Sequence, residues 1–229
     1  MITKKPDEKI YARLFDMFSL NPEECFLWTT RKKISLQAED AAWMDLIFRW
    51  NGSGSWNKNL KEDVMLSHPI PPLYDEHSKI LILGSFPSVK SREQQFFYGH
   101  KQNRFWRVMA QVLGCAVPET VEQKKEMLLS HHIAVWDVIA SCEITGSSDA
   151  SIRDVTPNDL SEILGCADIR AIYTNGGKAQ QLYQKYIFPV TGREAVALPS
   201  TSPANAGYSL ERLVEAWRSV RSVSEDVLP

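Results

Sequence analysis

Tyr98 and Asn103, five positions apart, are the side chains in this sequence best suited to handling a flat polar molecule. A tyrosine ring stacks on a nucleobase, and an asparagine amide reads a base edge or holds a water. Both stand in one run, Ile80 to Trp106, ILILGSFPSVKSREQQFFYGHKQNRFW. It begins as an apolar strand, ends at Gly84 and breaks into Ser85-Phe86-Pro87-Ser88. After the trio Phe96-Phe97-Tyr98 it opens a helix at Arg104-Phe105-Trp106. A structural reading competes with the chemical one: the aromatics are core and Asn103 caps the helix. Local sequence leaves both open.

Other segments carry polar chemistry without a complete signature. Asn175-Gly176-Gly177-Lys178 and Gly84-Ser85-Phe86 do not fit the spacing of a phosphate-cradling loop or a dinucleotide fingerprint. The glycine pair suits a tight turn into a helix, although its amides can also face an anion. No nucleophile elbow is present, and nothing ties His100, His131 or His132 to a serine and an acid. The loop Ser200-Thr201-Ser202-Pro203-Ala204-Asn205 is rich in short hydroxyls. It reads as a phosphate clamp or as an ordinary lead into a helix. Cys25, Cys115, Cys142 and Cys166 are far apart, so no metal site or disulfide framework is expected, and most of them read as buried small hydrophobes.

These segments must be positioned by a scaffold, and the pattern names one. Apolar runs at Lys79–Leu83, Ile133–Val138, Ile169–Thr174 and Ala195–Leu198 alternate with helical patterns at Val121–Ser130, Lys178–Ile187 and Leu210–Val220, the last capped by Ser209. Such alternation predicts an α/β fold, a three-layer αβα sandwich around a central four-stranded parallel sheet. Strand ends of a parallel sheet converge on one edge, where ligands bind. Residues 1–72 differ. Lys9–Leu20 and Ala38–Trp50 suit amphipathic helices, and His68-Pro69-Ile70-Pro71-Pro72 reads as a stiff linker. The expected organisation is therefore a small N-terminal helical extension over 1–72 and an α/β domain over 73–229.

The chain has 229 residues, a net charge of −2, and 44% hydrophobic and 24% charged residues, an ordinary balance for a globular protein. No apolar run reaches the length of a membrane helix, and MITKKPDEK lacks the apolar stretch of a signal peptide, so an intracellular protein is expected. The near-neutral charge speaks against nucleic acid, but its distribution does not. Lys79, Lys90, Arg92, Lys101, Arg104 and Arg107 share the stretch 79–111 with one acid, Glu93. That stripe is either a phosphate footprint or a solvated face.

Five blocks together resemble the uracil-DNA glycosylase superfamily, and within it the hypoxanthine (deoxyinosine) branch. They are Gly84-Ser85-Phe86-Pro87-Ser88; Tyr98 to Trp106; Trp136 to Cys142 with Gly146-Ser147; Tyr173 to Ala179; and Pro199 to Asn205. The resemblance covers residues 78–221. It implies a monofunctional glycosylase that flips a deaminated base, most readily hypoxanthine, out of double-stranded DNA. It also implies no cofactor or metal, no membrane and a monomer, working in the cytoplasm on the nucleoid or in a nucleus. Asn103 and Asp137 are the implied catalytic residues, although Asp137 also reads as an anchor of the sheet end. Gly84, Ser85, Phe86, Pro87, Tyr98 and Asn175 would form the base pocket. Ser88, Lys90, Lys101 and Ser200, Thr201, Ser202, Pro203, Ala204 and Asn205 would hold the DNA, with Arg92 beside Lys90. Two departures matter. Phe86 stands where relatives carry a catalytic Asn or Asp, and Lys101 stands where the family usually has Pro. A uracil-directed enzyme of the same fold and a DNA-binding module without catalysis are the alternatives.

Overall fold

A strand covered on both faces needs an apolar residue at every position, and Ile80-Leu81-Ile82-Leu83 supplies them; all four are fully buried. The computed structural model describes residues 65–225, and the helices expected between Lys9 and Trp50 lie outside them. In chain order the elements are β1 (Met65–Ser67), β2 (Ile80–Gly84), α1 (Val89–Gln94), α2 (Phe105–Leu113), α3 (Val121–Ser130), β3 (Ile133–Asp137) and β4 (Ile139–Glu143). A 3₁₀ turn (Asp149–Ser151), β5 (Arg153–Pro157), α4 (Ser161–Cys166), β6 (Ala171–Asn175) and α5 (Gly177–Leu182) follow. A π turn (Tyr183–Ile187), α6 (Phe188–Thr191), β7 (Val196–Leu198) and α7 (Leu210–Glu225) complete the order.

β3, β2, β6 and β7 form a four-stranded parallel sheet in that order. Side chains alternate across it. Ile80 and Ile82 join a core with Phe105, Met109, Leu128, Leu213 and Trp217 from α2, α3 and α7. Leu81 and Leu83 join the opposite core with Ile163, Leu182 and Tyr183 from α4, α5 and the π turn. The three-layer expectation therefore holds, with four strands at the expected places. The chain leaves β2 for β3 on one side, then crosses to β6 on the other. This reversal opens a crevice at the carboxyl ends of β2 and β6.

Local signals set the helix ends. Ser88 caps α1, Thr120 and Gln123 close a capping box on α3, and Ser209 Oγ accepts from Arg212 N–H at the start of α7. The helix expected to stop at Ile187 instead passes through the π turn into α6. Pro189 has no N–H to continue an α-helical register there.

The segment 65–72 departs from expectation. Met65–Ser67 pairs antiparallel with β4, which pairs with β5, making a second sheet absent from the sequence reading. His68 N–H donates to the Ala140 carbonyl, Ile70 is buried and Leu73 bridges Val135. The expected linker is thus part of the α/β unit, because its backbone groups find strand partners and its apolar side chain finds the core.

Candidate active site

The carboxyl ends of β2, β3 and β6 meet the loop after β7 around a cavity of about 300 Å³. All six expected pocket residues line it: Gly84, Ser85, Phe86, Pro87, Tyr98 and Asn175. Asn103, Asp137, Ser88 and Ser200–Ala204 line it as well, whereas Lys90, Lys101 and Asn205 do not. Tyr98 and Asn103 therefore face the same opening.

One wall carries charge. Asp137 ends β3 directly beside Gly84 in the parallel register. A Cβ on Gly84 would lie 2.1 Å from Asp137 Oδ1 and 3.5 Å from the Tyr98 hydroxyl oxygen, so only glycine permits this approach. Asp137 Oδ2 accepts from His68 Nε2 at 2.8 Å, with both side chains buried. The backbone after Asp137 is pinned by Asn158, whose Nδ2 donates to the carbonyls of Asp137 and Ile139. A second carboxylate, Asp149, accepts from Ser85 Oγ at 2.8 Å and also lines the cavity. Asp149 is exposed by area, and partial desolvation at the cavity mouth holds its carboxyl above the usual range against the opposing pull of the Ser85 hydrogen bond and the Lys178 charge.

The facing wall carries amides. Asn103 Oδ1 accepts from Phe105 N–H at 3.0 Å and from Thr201 Oγ1 at 2.9 Å. The backbone N–H can only donate, so the oxygen must point there and the Asn103 NH₂ is the group left for the cavity. Thr201 Oγ1 in turn accepts from Asn175 Nδ2, and Thr201 N–H donates to Asn175 Oδ1. Both asparagines therefore have committed oxygens and remaining N–H donors. The N-cap position of α2 belongs to Arg104 and not to Asn103 as the structural reading had it; Asn103, one residue earlier, takes the first helical N–H on its oxygen and keeps its nitrogen available. Arg104 secures the wall. Its guanidinium donates to the carbonyls of Thr201, Ser202, Asn205 and Tyr208. Gly176, at φ +101°, admits the loop closely, since a Cβ there would lie 2.8 Å from Ser200 Cβ.

Tyr98 joins the walls from a left-handed backbone (φ 52°), a costly conformation for a residue with a side chain. One ring face stacks on Phe105 at 3.8 Å between centroids. Its hydroxyl is buried near Asp137 and under the opposing influence of the Asn175 amide, without a hydrogen bond of ordinary geometry among the described residues. Burial, then the Asp137 charge, push it far above the usual phenol range, so it stays a donor. Phe96 and Phe97 are core, as the structural reading had them.

The basic stripe dissolves in the fold. Lys79 pairs with Asp168 and Lys90 with Glu93. Arg92 donates to the Pro87 carbonyl and lies over the Phe86 ring. With Arg104 in the loop, four of the six cations have partners among the described residues, and Lys90, paired only at the surface, stays exposed with Lys101 and Arg107. The hydroxyls of Ser200 and Ser202 accept from backbone N–H groups within their own loop, and Asn205 Nδ2 donates to the Ser200 carbonyl. The cysteine expectation fails in part: Cys142 is buried, but Cys115 and Cys166 are exposed. Sequence reasoning missed His68, hidden in a proline-rich stretch, and Asp149, two residues beyond the Gly146-Ser147 pair that it had singled out.

Comparison with known proteins follows the same outline. The family model described as the uracil DNA glycosylase superfamily matches residues 71–221. A hypoxanthine DNA glycosylase of Methanosarcina acetivorans is 36% identical over 158 residues, 68% of this chain and 98% of that protein. One from Methanosarcina barkeri is 33% identical over 155 residues, 67% and 96% of the two chains. A solution NMR structure of a Methanosarcina acetivorans protein described as a uracil DNA glycosylase superposes with a TM-score of 0.60 at 33% identity, covering 70% of this chain and 99% of that one.

Proposed function

This chain belongs to the uracil DNA glycosylase superfamily, and on that premise we propose that the cavity receives a deaminated base flipped from DNA and hydrolyses its N-glycosidic bond. The chain is a DNA glycosylase acting on deaminated bases. Hypoxanthine is the base favoured by the two curated relatives, both of which are named for it. One observation supports the site reading above the rest: a fixed carboxylate, Asp137, faces amide donors whose oxygens are all committed elsewhere.

The two walls divide the chemistry. Flipping costs a few kcal/mol of lost stacking and pairing. The Tyr98 ring face opposite Phe105 stacks on the base. The NH₂ groups of Asn103 and Asn175 donate to its carbonyl and ring nitrogens. Those bonds strengthen as the C1′–N bond breaks and its electron pair passes to the base, so the donors favour the transition state over the bound substrate. Asp137 Oδ1 accepts the proton of the water that attacks C1′, and its negative charge stabilises the oxocarbenium-like sugar. The departing base takes a proton from solvent. Phe86 cannot activate water, and Asp137 supplies the missing carboxylate from the neighbouring strand end. Among the described residues no lysine lines the cavity, so an abasic site and an uncut strand are the expected products. Lys101, with the loop Ser200–Ala204 and the Ser88 end of α1, faces the phosphates. The enzyme works inside the cell as a monomer on double-stranded DNA. Among the described residues no helix is long and apolar enough to cross a membrane.

Duplexes carrying one deoxyinosine or one uracil, incubated with the protein and then treated with hot alkali, test this reading. Strand scission at deoxyinosine, dependent on the alkali, is expected. Scission only at uracil would transfer the specificity. Scission without alkali would refute the monofunctional mechanism, and binding without any scission would leave a DNA-binding module.

A further inference from the structure

The Asp137 carboxylate is held by a histidine whose own orientation is fixed. His68 Nδ1 accepts from Ile70 N–H at 3.2 Å. A backbone amide can only donate, so the ring proton sits on Nε2, the atom 2.8 Å from Asp137 Oδ2. The side chains of His68 and Asp137 are only 3% and 7% exposed. The ring is boxed by Phe86, Phe97 and Trp136 at 5.8, 6.4 and 6.1 Å between centroids. Its backbone is tied to β4 through the Ala140 carbonyl, and Trp136 Nε1 donates to the Ile70 carbonyl just beyond it.

We infer that His68 is a positioning residue for catalysis: its Nε2–H engages Asp137 Oδ2 so that Oδ1 is the oxygen presented to the attacking water. An isolated buried carboxylate is expensive and would rotate toward any donor within reach. One neutral N–H on Oδ2 satisfies half of the group and fixes its plane. Gly84 leaves room for the other oxygen, since a Cβ there would lie 2.1 Å from Asp137 Oδ1. The histidine needs no charge and exchanges no proton with substrate. The short strand β1 places it, which explains why residues ahead of β2 belong to the catalytic unit.

The inference rests on Asp137 as the proton acceptor, and the experiment separates the two ideas. His68→Phe, His68→Gln, Asp137→Asn and the His68→Phe/Asp137→Asn pair are made in the full chain. Each is assayed for single-turnover excision from a deoxyinosine duplex, for affinity toward an abasic duplex and for thermal melting. His68→Phe fills the aromatic box but removes the donor. It should slow excision about 10–100-fold, the worth of one hydrogen bond to a charged group, while affinity for the abasic duplex holds. His68→Gln, which restores an N–H, should recover most of the rate. In the Asp137→Asn background His68→Phe should add no further loss. Wild-type excision by His68→Phe, with Asp137→Asn inactive, overturns the role of His68 alone. A His68→Gln variant that melts like wild type yet is as slow as His68→Phe does the same. Wild-type excision by Asp137→Asn would remove the base reading and this inference together.

Discussion

The two walls of the cavity are built on different principles. The wall of β2 and β3 is an ionic arrangement with almost no freedom: Asp137 is clamped by His68, crowded by Gly84 and backed by Asn158. The wall after β7 is a neutral relay in which Asn103, Thr201 and Asn175 satisfy one another, and Arg104 ties the loop by its carbonyls. The first presents an acceptor with charge, the second presents donors without charge. A reaction that takes a proton from water and leaves electron density on a base needs one of each. On the proposed mechanism proton abstraction falls to the sheet and base recognition to the loop, and substitutions on each side should fail differently.

The largest expected effect is on the charged wall. Asp137→Asn keeps the shape and removes the proton acceptor, so single-turnover excision should fall by about 10²–10⁴, the usual contribution of a general base. Affinity for an abasic duplex should change little. If excision survives, the division of labour between the walls is wrong. Gly84→Ala comes next. The new methyl would collide with Asp137 Oδ1, so the carboxylate or the strand end must move. Overpacking of this kind costs about 1–3 kcal/mol, and a denaturant melt should show that loss together with slowed excision. A variant with native stability and native rate would mean that Asp137 tolerates displacement, against the rigid picture of this wall.

The amide wall should fail more softly and in a way that separates helix support from chemistry. Asn103→Asp keeps an oxygen for Phe105 N–H and Thr201 Oγ1 but removes the NH₂ donors. The first N–H of α2 should therefore keep its partner and the melting temperature stay near native, while excision falls. Equal activity would reduce Asn103 to holding that N–H. Thr201→Val cuts the relay in the middle. It leaves Asn103 and Asn175 each short of a buried partner, at about 1–3 kcal/mol. Excision should drop less than for Asp137→Asn, and discrimination between deoxyinosine and uracil duplexes should weaken, because each amide is then fixed by a single backbone N–H, that of Phe105 or that of position 201.

The same contrast explains what could be read from sequence. The loop wall was legible because its residues sit in short contiguous blocks: Asn103 opens a helix, Asn175 ends a strand, and Thr201 lies in a hydroxyl-rich turn. The four parallel strands were legible because each is a continuous apolar run. The charged wall was only half visible. Asp137 could be singled out at a strand end, but its partner is 69 positions away in a proline-rich stretch that resembled a linker. Strand β1 has three residues, too few for a periodic signal, and its pairing with β4 is a long-range fact. The cations were legible only as a cluster, because Arg92 and Arg104 bond carbonyls of the fold while Lys90 stays at the surface in an exposed pair with Glu93. Lys90, Arg92 and Arg104 cluster in sequence and so suggested a phosphate stripe. A guanidinium with several carbonyls in reach is more useful inside the fold, and linear charge density carries no record of those carbonyls.

The smallest expected effect concerns Asp149, the second carboxylate on the charged wall. Its carboxyl is held above the ordinary value by desolvation, so the folded protein takes up this proton at a higher pH than the unfolded chain does. Between the two values the folded state binds more protons. Stability therefore falls as pH rises through that window, and the penalty persists at neutral pH. Asp149→Asn retains an oxygen for the Ser85 hydroxyl and removes the charge. It should melt above wild type at pH 7, and the advantage should vanish below about pH 4, where the carboxylate is protonated in the unfolded chain too. Thermal melts at the two pH values decide this. A variant less stable than wild type at pH 7 would show that the Ser85 hydrogen bond and the Lys178 charge outweigh desolvation. Asp149 would then be a stabilising charge on that wall rather than a strained one at its edge.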